Sequence, residues 1–468
     1  MLVVFIHGWS VTSTETYGAL PSVVAQNSAP SLAIQVTGLY LGKYISFSDE
    51  VNIDDIARGM QQAISTEVLP RLSAGERFAC VTHSTGGPVV RKWVDMFFKA
   101  RLAECPLSHL VMLAPPNHGS ALAQLGKSRL SRMKFFAEGV QPGVGVLNWL
   151  ELGSDPSWEL NASWLDYSCT SSGMYVFVLT GQTIDRKFYD PLNSYTGEVG
   201  SDGVVRAAAA NMNYGLIQLV QQDGKFKLGK HKQPEKYAFG ILPGRSHSDE
   251  EMGIMGSVKA DDDASHPTVN GLLQCLAVNS VASYKKMCKT LADLSEQTQA
   301  AERSRKTREL FLFEREFITS RYCMFVFRIT DDRNNSLADY DLLFTAGPNY
   351  DENHLPEGFF VDRQRNQRNP GKLTYYIDYD KMAEWLTKPE LQGKFGLKIV
   401  ARPAAGYAYY VVAEHRGTFS SLKQFFAPNQ TLMVDIQLTR HVTEGVFRLT
   451  QKLEPESFKD QPKGSDIR

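Results

Sequence analysis

A serine in a short glycine-rich segment is the residue of this sequence best placed to do chemistry. Ser84 lies in FACVTHSTGG (residues 78–87), where an apolar run is followed at once by a segment with helical spacing. A sharp strand-to-helix turn projects a serine hydroxyl from the end of a sheet, and small residues beside it let strand and helix approach closely. Position 82, usually glycine in such turns, is threonine, so a branched side chain must fit against the helix. The segment predicts a nucleophile at Ser84.

A serine nucleophile also needs donors for the oxyanion that forms when it attacks a carbonyl group. The first apolar run ends in FIHGW (residues 5–9), where glycine allows the backbone to approach a reacting carbonyl. We therefore predict that the backbone N–H groups of Trp9 and Thr85 form an oxyanion hole. The Trp9 side chain is assigned no chemical role.

The general base must come from the ten histidines. His247 lies a few residues past an apolar run, in the polar segment GRSHSDEE (residues 244–251), and we favour it because a triad base follows a strand in this way. His266, at the start of a predicted helix, is the rival. His118 is interpreted as a structural member of its turn.

The third member of such a site is a carboxylate that orients the imidazole and stabilises its cation. Asp202 lies in SDGVV (residues 201–205), a turn between two glycines, and is the candidate. Asp-Gly pairs are also common in ordinary turns. Asp185 and Asp190, which follow the apolar run 175–180, remain rivals.

The elements that must position these residues alternate between strand-like and helix-like patterns over residues 1–281, which predicts a mostly parallel sheet with helices on both faces. The segment 120–173 interrupts the alternation and carries two phenylalanines and three tryptophans, Phe135, Phe136, Trp149, Trp158 and Trp164. We interpret it as a lid-like insertion over an apolar pocket, with ordinary helical packing as the alternative.

The second part of the chain has a different texture. Residues 282–318 are charged and begin with a long helix-favouring stretch, which predicts a helical connector. Residues 319–468 contain short strand-like runs separated by turn clusters, then a polar tail, and this pattern predicts a β-sandwich-like domain. All three proposed catalytic residues precede the connector. We therefore expect the β domain to influence targeting, through a membrane surface or a protein partner, and not bond cleavage.

Composition excludes several classes of function. The 50 basic and 51 acidic residues give a net charge of −1, so the overall electrostatic field of the protein does not favour binding of nucleic acid. The six cysteines are scattered without metal-binding spacing, and no run is long enough for a membrane span. Met1 leads directly into an apolar strand pattern without a secretory signal, so we expect a cytoplasmic protein, with signal-independent export still open.

Two charged runs receive the same interpretation. The three aspartates at 261–263 could suggest calcium, and the basic run RQRNQR (residues 363–368) could suggest an acidic surface. A solvated loop is the better interpretation of each, and we predict no metal site.

The order of these segments resembles the lipase/esterase branch of the α/β-hydrolase superfamily over about residues 1–280. The strand ending in His-Gly comes first, then the serine turn, then APPNHGS (residues 114–120), which is similar to a turn found in many lipases. SDGVV and GRSHSDEE are similar to the acid and histidine loops of the family. The resemblance implies an α/β-hydrolase domain with a Ser84–His247–Asp202 triad and no cofactor.

The expected function is hydrolysis of lipid or phospholipid esters through an acyl-enzyme. The alternatives are a small-molecule esterase or thioesterase, an antibacterial phospholipase delivered to competing cells, and an inactive hydrolase-fold scaffold. The Ser-x-Gly-Gly segment, with its His-Gly, Asp and His partners, argues against the scaffold.

Overall fold

A computed structural model of the protein describes residues 1–7, 16–39, 49–128, 143–184, 199–303, 306–309, 313–316 and 320–444. Its helices are α1 (Leu20–Gln26), α2 (Ile53–Ala63), α3 (Gly86–Phe98), α4 (Ala121–Ser128), α5 (Val144–Leu150), α6 (Asp155–Trp164), α7 (Ala207–Ala210), α8 (Pro267–Leu276), α9 (Val281–Arg303), α10 (Tyr379–Leu386) and α11 (Phe419–Leu422). Its strands are β1 (Leu2–Ile6), β2 (Gln35–Leu39), β3 (Phe78–His83), β4 (Leu107–Leu113), β5 (Tyr175–Thr180), β6 (Gly215–Gln222), β7 (Lys225–Lys232), β8 (Ala238–Ile241), β9 (Lys306–Glu309), β10 (Phe313–Glu316), β11 (Tyr322–Asp331), β12 (Tyr340–Ala346), β13 (Phe360–Arg365), β14 (Lys372–Asp378), β15 (Lys394–Ala401), β16 (Ala408–Tyr409), β17 (Ala413–Thr418), β18 (Thr431–Leu438) and β19 (His441–Val442).

The first sheet has six parallel strands in the order β2-β1-β3-β4-β5-β8. Strands β1, β3 and β5 are buried along their whole length, as expected for apolar runs in a parallel sheet that is covered on both faces. The predicted α/β-hydrolase class is confirmed. Since the strands are parallel, their carboxyl ends lie at one edge of the sheet, and the loops that follow β3 and β8 meet there.

Helices cover both faces of this sheet. One face packs against α2, α3, α5 and α6, and the other packs against α1, α8 and α9. Helix α2 begins with a capping box between Asn52 and Asp55, and the chain continues from it as a π-helix over Ile64–Val68. Helix α9, predicted as a connector, lies against β8, and its buried Leu291 belongs to the core of the α/β part.

The second sheet is mixed and has nine strands in the order β12-β15-β17-β7-β6-β18-β11-β14-β13. This curled sheet forms the C-terminal β domain that the sequence predicts. Its centre contains the β6–β7 hairpin, which lies before the connector in sequence. Strand β6 pairs in parallel with β18 over six residue pairs, from Gly215 with Leu432 to Val220 with Gln437. The predicted boundaries at 281 and 319 stay predictions, but residues 215–232 pair with the C-terminal strands.

The two sheets share one hydrophobic core. Tyr322, Met324, Val326, Tyr376 and Met433, all from the C-terminal sheet, belong to the same buried cluster as β3, α3 and α6. The opposite face of the C-terminal sheet has a core of its own, rich in phenylalanine. The C-terminal sheet is therefore packed on the α/β part through buried apolar side chains.

The described part of the lid-like segment consists of packed helices. Trp149, Trp158 and Trp164 are buried, and Trp158 lies between the cations of Lys372 and Arg328, each 4.9 Å from its ring centre. Phe135 and Phe136 lie outside the described residues. The lid interpretation stays a prediction for residues 129–142 and has no support from the three tryptophans.

Within the described residues, no helix is both long enough and apolar enough to cross a lipid bilayer.

Candidate active site

Ser84 lies in a strained turn between β3 and α3. Its φ is +50°, a conformation that non-glycine residues rarely adopt, and its backbone N–H donates to the carbonyl of Leu113. Two glycines make the turn possible. A Cβ at Gly87 would lie 2.7 Å from Pro115 Cβ, and one at Gly86 would lie 3.2 Å from Thr82 Cβ. The buried Thr82 side chain therefore fits because Gly86 leaves room for it.

The structure brings Ser84, His247 and Asp202 together, as the sequence predicts. His247 Nε2 lies 3.1 Å from Ser84 Oγ, and His247 Nδ1 lies 2.9 Å from Asp202 Oδ2. A carboxylate only accepts hydrogen bonds, so Nδ1 carries the proton and the unprotonated Nε2 accepts from the serine hydroxyl. His247 is buried and the Asp202 side chain is fully shielded from solvent, whereas Ser84 is partly accessible.

Asp202 is fixed by the turn in which it lies. Its Oδ1 accepts hydrogen bonds from the N–H groups of Val204, at 3.0 Å, and Val205, at 2.7 Å, which leaves Oδ2 for His247. Ser120 restrains this turn, because its hydroxyl donates to the carbonyl of Val204. The carboxylate therefore cannot rotate without losing backbone hydrogen bonds.

The backbone of His247 is held from two sides. Its N–H donates to the carbonyl of Asp202 at 2.9 Å, and its carbonyl accepts from His83 Nε2 at 3.1 Å. Burial, together with the nearby His247, holds the pKa of His83 well below its usual value. His83 therefore stays neutral, with its proton on Nε2. A structural hydrogen bond is the usual role of a histidine in such a turn, and His83 makes one to the histidine loop.

Asp249 organises the rest of the histidine loop. Its Oδ1 accepts from the N–H groups of Glu251 and Met252, both at 2.6 Å, and its Oδ2 accepts from the Ser246 hydroxyl. Its φ is +133°, and Gly253 packs so closely against it that a Cβ there would lie 2.4 Å from its carbonyl oxygen. The Ser-Asp-Glu-Glu sequence of the loop indicates a polar turn, but its spacing does not predict the hydrogen bonds by which Asp249 stabilises the loop.

The rival histidines lie elsewhere. His266 is the N-cap of α8, where Nδ1 accepts from the Thr268 N–H and Nε2 consequently donates to Ser257. His118 is buried in the APPNHGS turn, where Tyr214 packs edge-on against its ring. Neither has a hydrogen bond to Ser84 or Asp202 among the contacts of the described residues.

Several predicted residues remain untested by the geometry. Trp9, Asp185 and Asp190 lie outside the described residues. Thr85 lies at the start of α3, directly after Ser84, where the first backbone N–H groups of a helix have no partner within the helix. In the described parts of the chain, no group of three or more His, Cys, Asp or Glu side chains could hold a metal ion.

This arrangement can move a proton from a serine hydroxyl to an imidazole while a buried carboxylate stabilises the resulting cation. The loops after β3 and β8 supply the serine and the histidine, and the Gly200–Arg206 turn supplies the carboxylate. The chemistry available to such a group is nucleophilic attack on a carbonyl carbon.

Two solved structures to which this chain is similar match nearly its whole length. One is the phospholipase PlaB from Legionella pneumophila, 52% identical, with a TM-score of 0.92 over 99% of this chain and 98% of that one. The other is the same phospholipase in complex with thio-NAD, 51% identical, with a TM-score of 0.91 over 99% of both chains. No protein-family model and no curated protein matches the chain.

Proposed function

The chain belongs to the family of the phospholipase PlaB from Legionella pneumophila and is an ester-hydrolysing enzyme, and we propose that it cleaves phospholipid esters with a Ser84–His247–Asp202 triad. The observation that carries the proposal is the continuous chain of hydrogen bonds from Ser84 Oγ through His247 to Asp202. The phospholipid substrate is inferred from the relative.

The proposed mechanism has two half-reactions. His247 Nε2 takes the proton of Ser84 as Oγ attacks the ester carbonyl, and Asp202 stabilises the imidazolium. The N–H groups of Thr85 and Trp9 are proposed to stabilise the oxyanion. His247 then protonates the leaving alcohol, and a water molecule, activated by the same base, hydrolyses the acyl-enzyme. The buried His83 stays neutral throughout and keeps the His247 backbone in place.

The triad is tested by substitution in the full-length chain. Ser84→Ala and His247→Ala should each lower kcat by roughly a millionfold, and Asp202→Asn by a smaller factor, since triad residues act as a unit. His266→Ala is the control and should keep most of the activity. Residual turnover of more than a few per cent in Ser84→Ala, or inactivation by His266→Ala but not by His247→Ala, would refute the assignment.

The substrate class is tested separately. Purified protein is compared on phospholipids, triglycerides and short p-nitrophenyl esters, with labelling by a fluorophosphonate to count active serines. We expect turnover of phospholipids and stoichiometric labelling that Ser84→Ala abolishes. Activity confined to short esters would favour a small-molecule esterase, and absence of labelling would favour an inactive scaffold.

We also propose that the C-terminal domain contacts an anionic membrane through β7. Lys225, Lys227 and Lys230 are exposed on this strand, and Leu228 between them is 46% exposed. Lysines beside an exposed apolar side chain suit a surface of acidic lipid headgroups. Vesicles with and without phosphatidylglycerol test this in a sedimentation assay. Changing Lys227 and Lys230 to glutamate should weaken binding to the anionic vesicles, and the same change at the exposed Lys285 and Lys289 of α9 is the control.

One relative carries thio-NAD, and we propose that this chain also binds a nicotinamide dinucleotide. The support is the 51% identity over 99% of both chains. Isothermal titration with NAD and with AMP tests it. Saturable binding of NAD is expected, and heats no larger than those of dilution would refute the proposal.

A further inference from the structure

The acid loop, residues 199–211, lies between the α/β part and the C-terminal sheet, although the sequence places it wholly before the connector. Asn117, in the turn after β4, donates through Nδ2 to the carbonyl of Ala210 on one side. On the other side Thr431 of β18 donates to the carbonyl of Ala208, at 2.8 Å, and Asn211 donates to the carbonyl of Asn429. Asp202 therefore lies in a loop that both parts of the molecule hold.

Arg206 is the centre of the C-terminal contacts. It is almost completely buried, pairs with Asp362 of β13, and lies with its guanidinium carbon 4.3 Å from the ring centre of Tyr376 on β14. Its Nη1 also lies 3.9 Å from Met324 Sδ on β11. Three adjacent strands of the C-terminal sheet thus enclose one side chain that comes from the acid loop.

Backbone contacts next to Arg206 connect the restraint on its side chain to the position of Asp202. Ser201 and Arg206 form an isolated β-bridge, and the N–H of Ala207 donates to the carbonyl of Gly200 at 2.9 Å, so the loop is closed at its base. Gly200 packs on Tyr322 and Tyr376, where a Cβ would lie 2.5 Å from the Tyr322 ring and 2.5 Å from the Tyr376 hydroxyl oxygen. The Tyr376 hydroxyl also donates to the carbonyl of Val199.

We propose that Asp362 and Tyr376 are positioning residues for catalysis, because they clamp Arg206 and so set the distance between Asp202 and His247. The inference rests on the proposed triad. It assigns to the C-terminal sheet a part in bond cleavage, whereas the sequence led us to expect a role in targeting alone.

The clamp does not touch the reacting atoms, so its loss has a characteristic signature. If Asp202 moves away from His247, the imidazolium loses its counter-charge, so protonation of the base becomes less favourable. The acid limb of the kcat profile then shifts to lower pH, and kcat falls while KM for a small ester is unchanged. A misplacement of about 1 Å costs up to roughly a hundredfold in rate.

The experiment uses Asp362→Asn in the full-length protein with a water-soluble p-nitrophenyl ester. We expect kcat to fall between roughly tenfold and a hundredfold, with unchanged KM and an acid limb shifted to lower pH. Asp435→Asn is the matched control, since Asp435 also pairs with an arginine, Arg328 of β11, in the same domain, and among the described residues this pair has no hydrogen bond to the acid loop. Wild-type kinetics are expected for the control.

Two outcomes overturn the inference: a folded Asp362→Asn protein with the wild-type kcat and acid limb, or an equal loss in Asp435→Asn, which would mean general loosening of the domain. If Asp362→Asn does not fold, Tyr376→Phe decides, because it removes the hydroxyl that donates to the carbonyl of Val199 and keeps the ring under Arg206. A smaller fall in kcat with the same shift supports the clamp, and wild-type kinetics refute it. Failure of the triad itself is recognised independently, by activity in Ser84→Ala.

Discussion

At the residue scale, Ser84 combines chemical use with backbone strain. A positive φ costs an L-residue roughly 1–2 kcal/mol relative to a right-handed conformation, and glycine escapes that cost. The surrounding structure holds this conformation in place. The glycines after Ser84 are closely packed, and the Ser84 N–H donates to the carbonyl of Leu113. The strain holds the hydroxyl at the sheet edge, next to His247.

This strain gives a stability prediction for two inactive variants. Ser84→Gly should be more stable than Ser84→Ala by about 1 kcal/mol, because only alanine keeps the cost of φ = +50°. Urea unfolding of both variants measures the difference. A Ser84→Ala protein as stable as Ser84→Gly would mean that the turn relaxes when the hydroxyl is removed.

The buried histidines give a pH prediction. Burial holds the pKa of His83 and of His118 well below the usual value of 6.5, so these residues stay neutral in the folded protein and bind protons in the unfolded chain. Stability should therefore fall as the pH drops below about 6.5, by up to about 1.4 kcal/mol per pH unit for each histidine. Above that pH, these two histidines should not make the free energy of unfolding depend on pH.

His118→Gln isolates one of these contributions. Glu235, whose pKa burial raises, changes stability in the opposite direction, so the comparison uses the difference between wild type and variant. Between pH 6.5 and 5.5 the wild type should lose more stability than His118→Gln, by up to about 1.4 kcal/mol. Parallel urea-unfolding curves across this range would show that His118 takes up a proton in the folded state.

At the scale of elements, the sequence predicted the segments whose signals are local. The serine turn, the Asp-Gly turn and the histidine loop each carry small or polar residues after an apolar strand, and the three side chains meet as expected. The contacts around them depend on distant segments, and a local pattern cannot reveal them. The basic run 363–368, interpreted as a solvated loop, is an example. Its Gln364 and Asn366 are buried and donate to the carbonyls of Ala121 and Leu152 in the α/β part.

The aromatic residues of segment 120–173 show the same limit. Large apolar side chains between two strands suit both a lid and a packed helix, and only the burial distinguishes them. Trp158, in α6, is 4% exposed and lies between two cations of the C-terminal sheet, which makes it part of the interface between the two sheets.

Trp158→Ala should therefore lower the free energy of unfolding by about 3–5 kcal/mol, as for other buried aromatic residues. Trp158→Phe, which keeps a ring between Lys372 and Arg328, should lose less. We expect neither variant to alter the ratio of activity on aggregated and monomeric substrate, measured across the critical micelle concentration of a short-chain phospholipid. A selective loss of activity on aggregates in Trp158→Ala would restore the lid interpretation for α6.

At the scale of the whole molecule, the resemblance to lipases and esterases and the order of an α/β domain followed by a β domain are confirmed, since period and turn residues carry that information. No local pattern in the sequence indicates that residues 215–232 pair with strands roughly two hundred residues further along the chain. A strand that alternates apolar and polar residues has the same sequence pattern in either sheet. The pairing of β6 with β18 is therefore decided by tertiary packing.

This pairing leads us to expect that the two parts unfold together. A chain ending at residue 281 would lack β18, β11 and α9, and would leave Ile217 and Leu219, both buried in the C-terminal core, without their neighbours. Such a chain should aggregate and lose activity even on water-soluble esters. In the intact protein, urea should produce one transition, coincident for esterase activity and for far-UV circular dichroism.

Hydrogen exchange near the midpoint of that transition provides the sharpest test, because it resolves segments. Amides of β4, at the centre of the first sheet, and of β15, far across the second, should exchange with the same free energy if the shared core and the β6–β18 ladder couple the two sheets. The edge strand β2 is the internal control, since it has a neighbour on one side and should exchange sooner. If β15 exchanges at a lower urea concentration than β4 while the esterase activity persists, the β domain unfolds independently. The C-terminal strands would then not be needed to hold Asp202 beside His247. That result would refute the proposal that Asp362 and Tyr376 position the triad through Arg206.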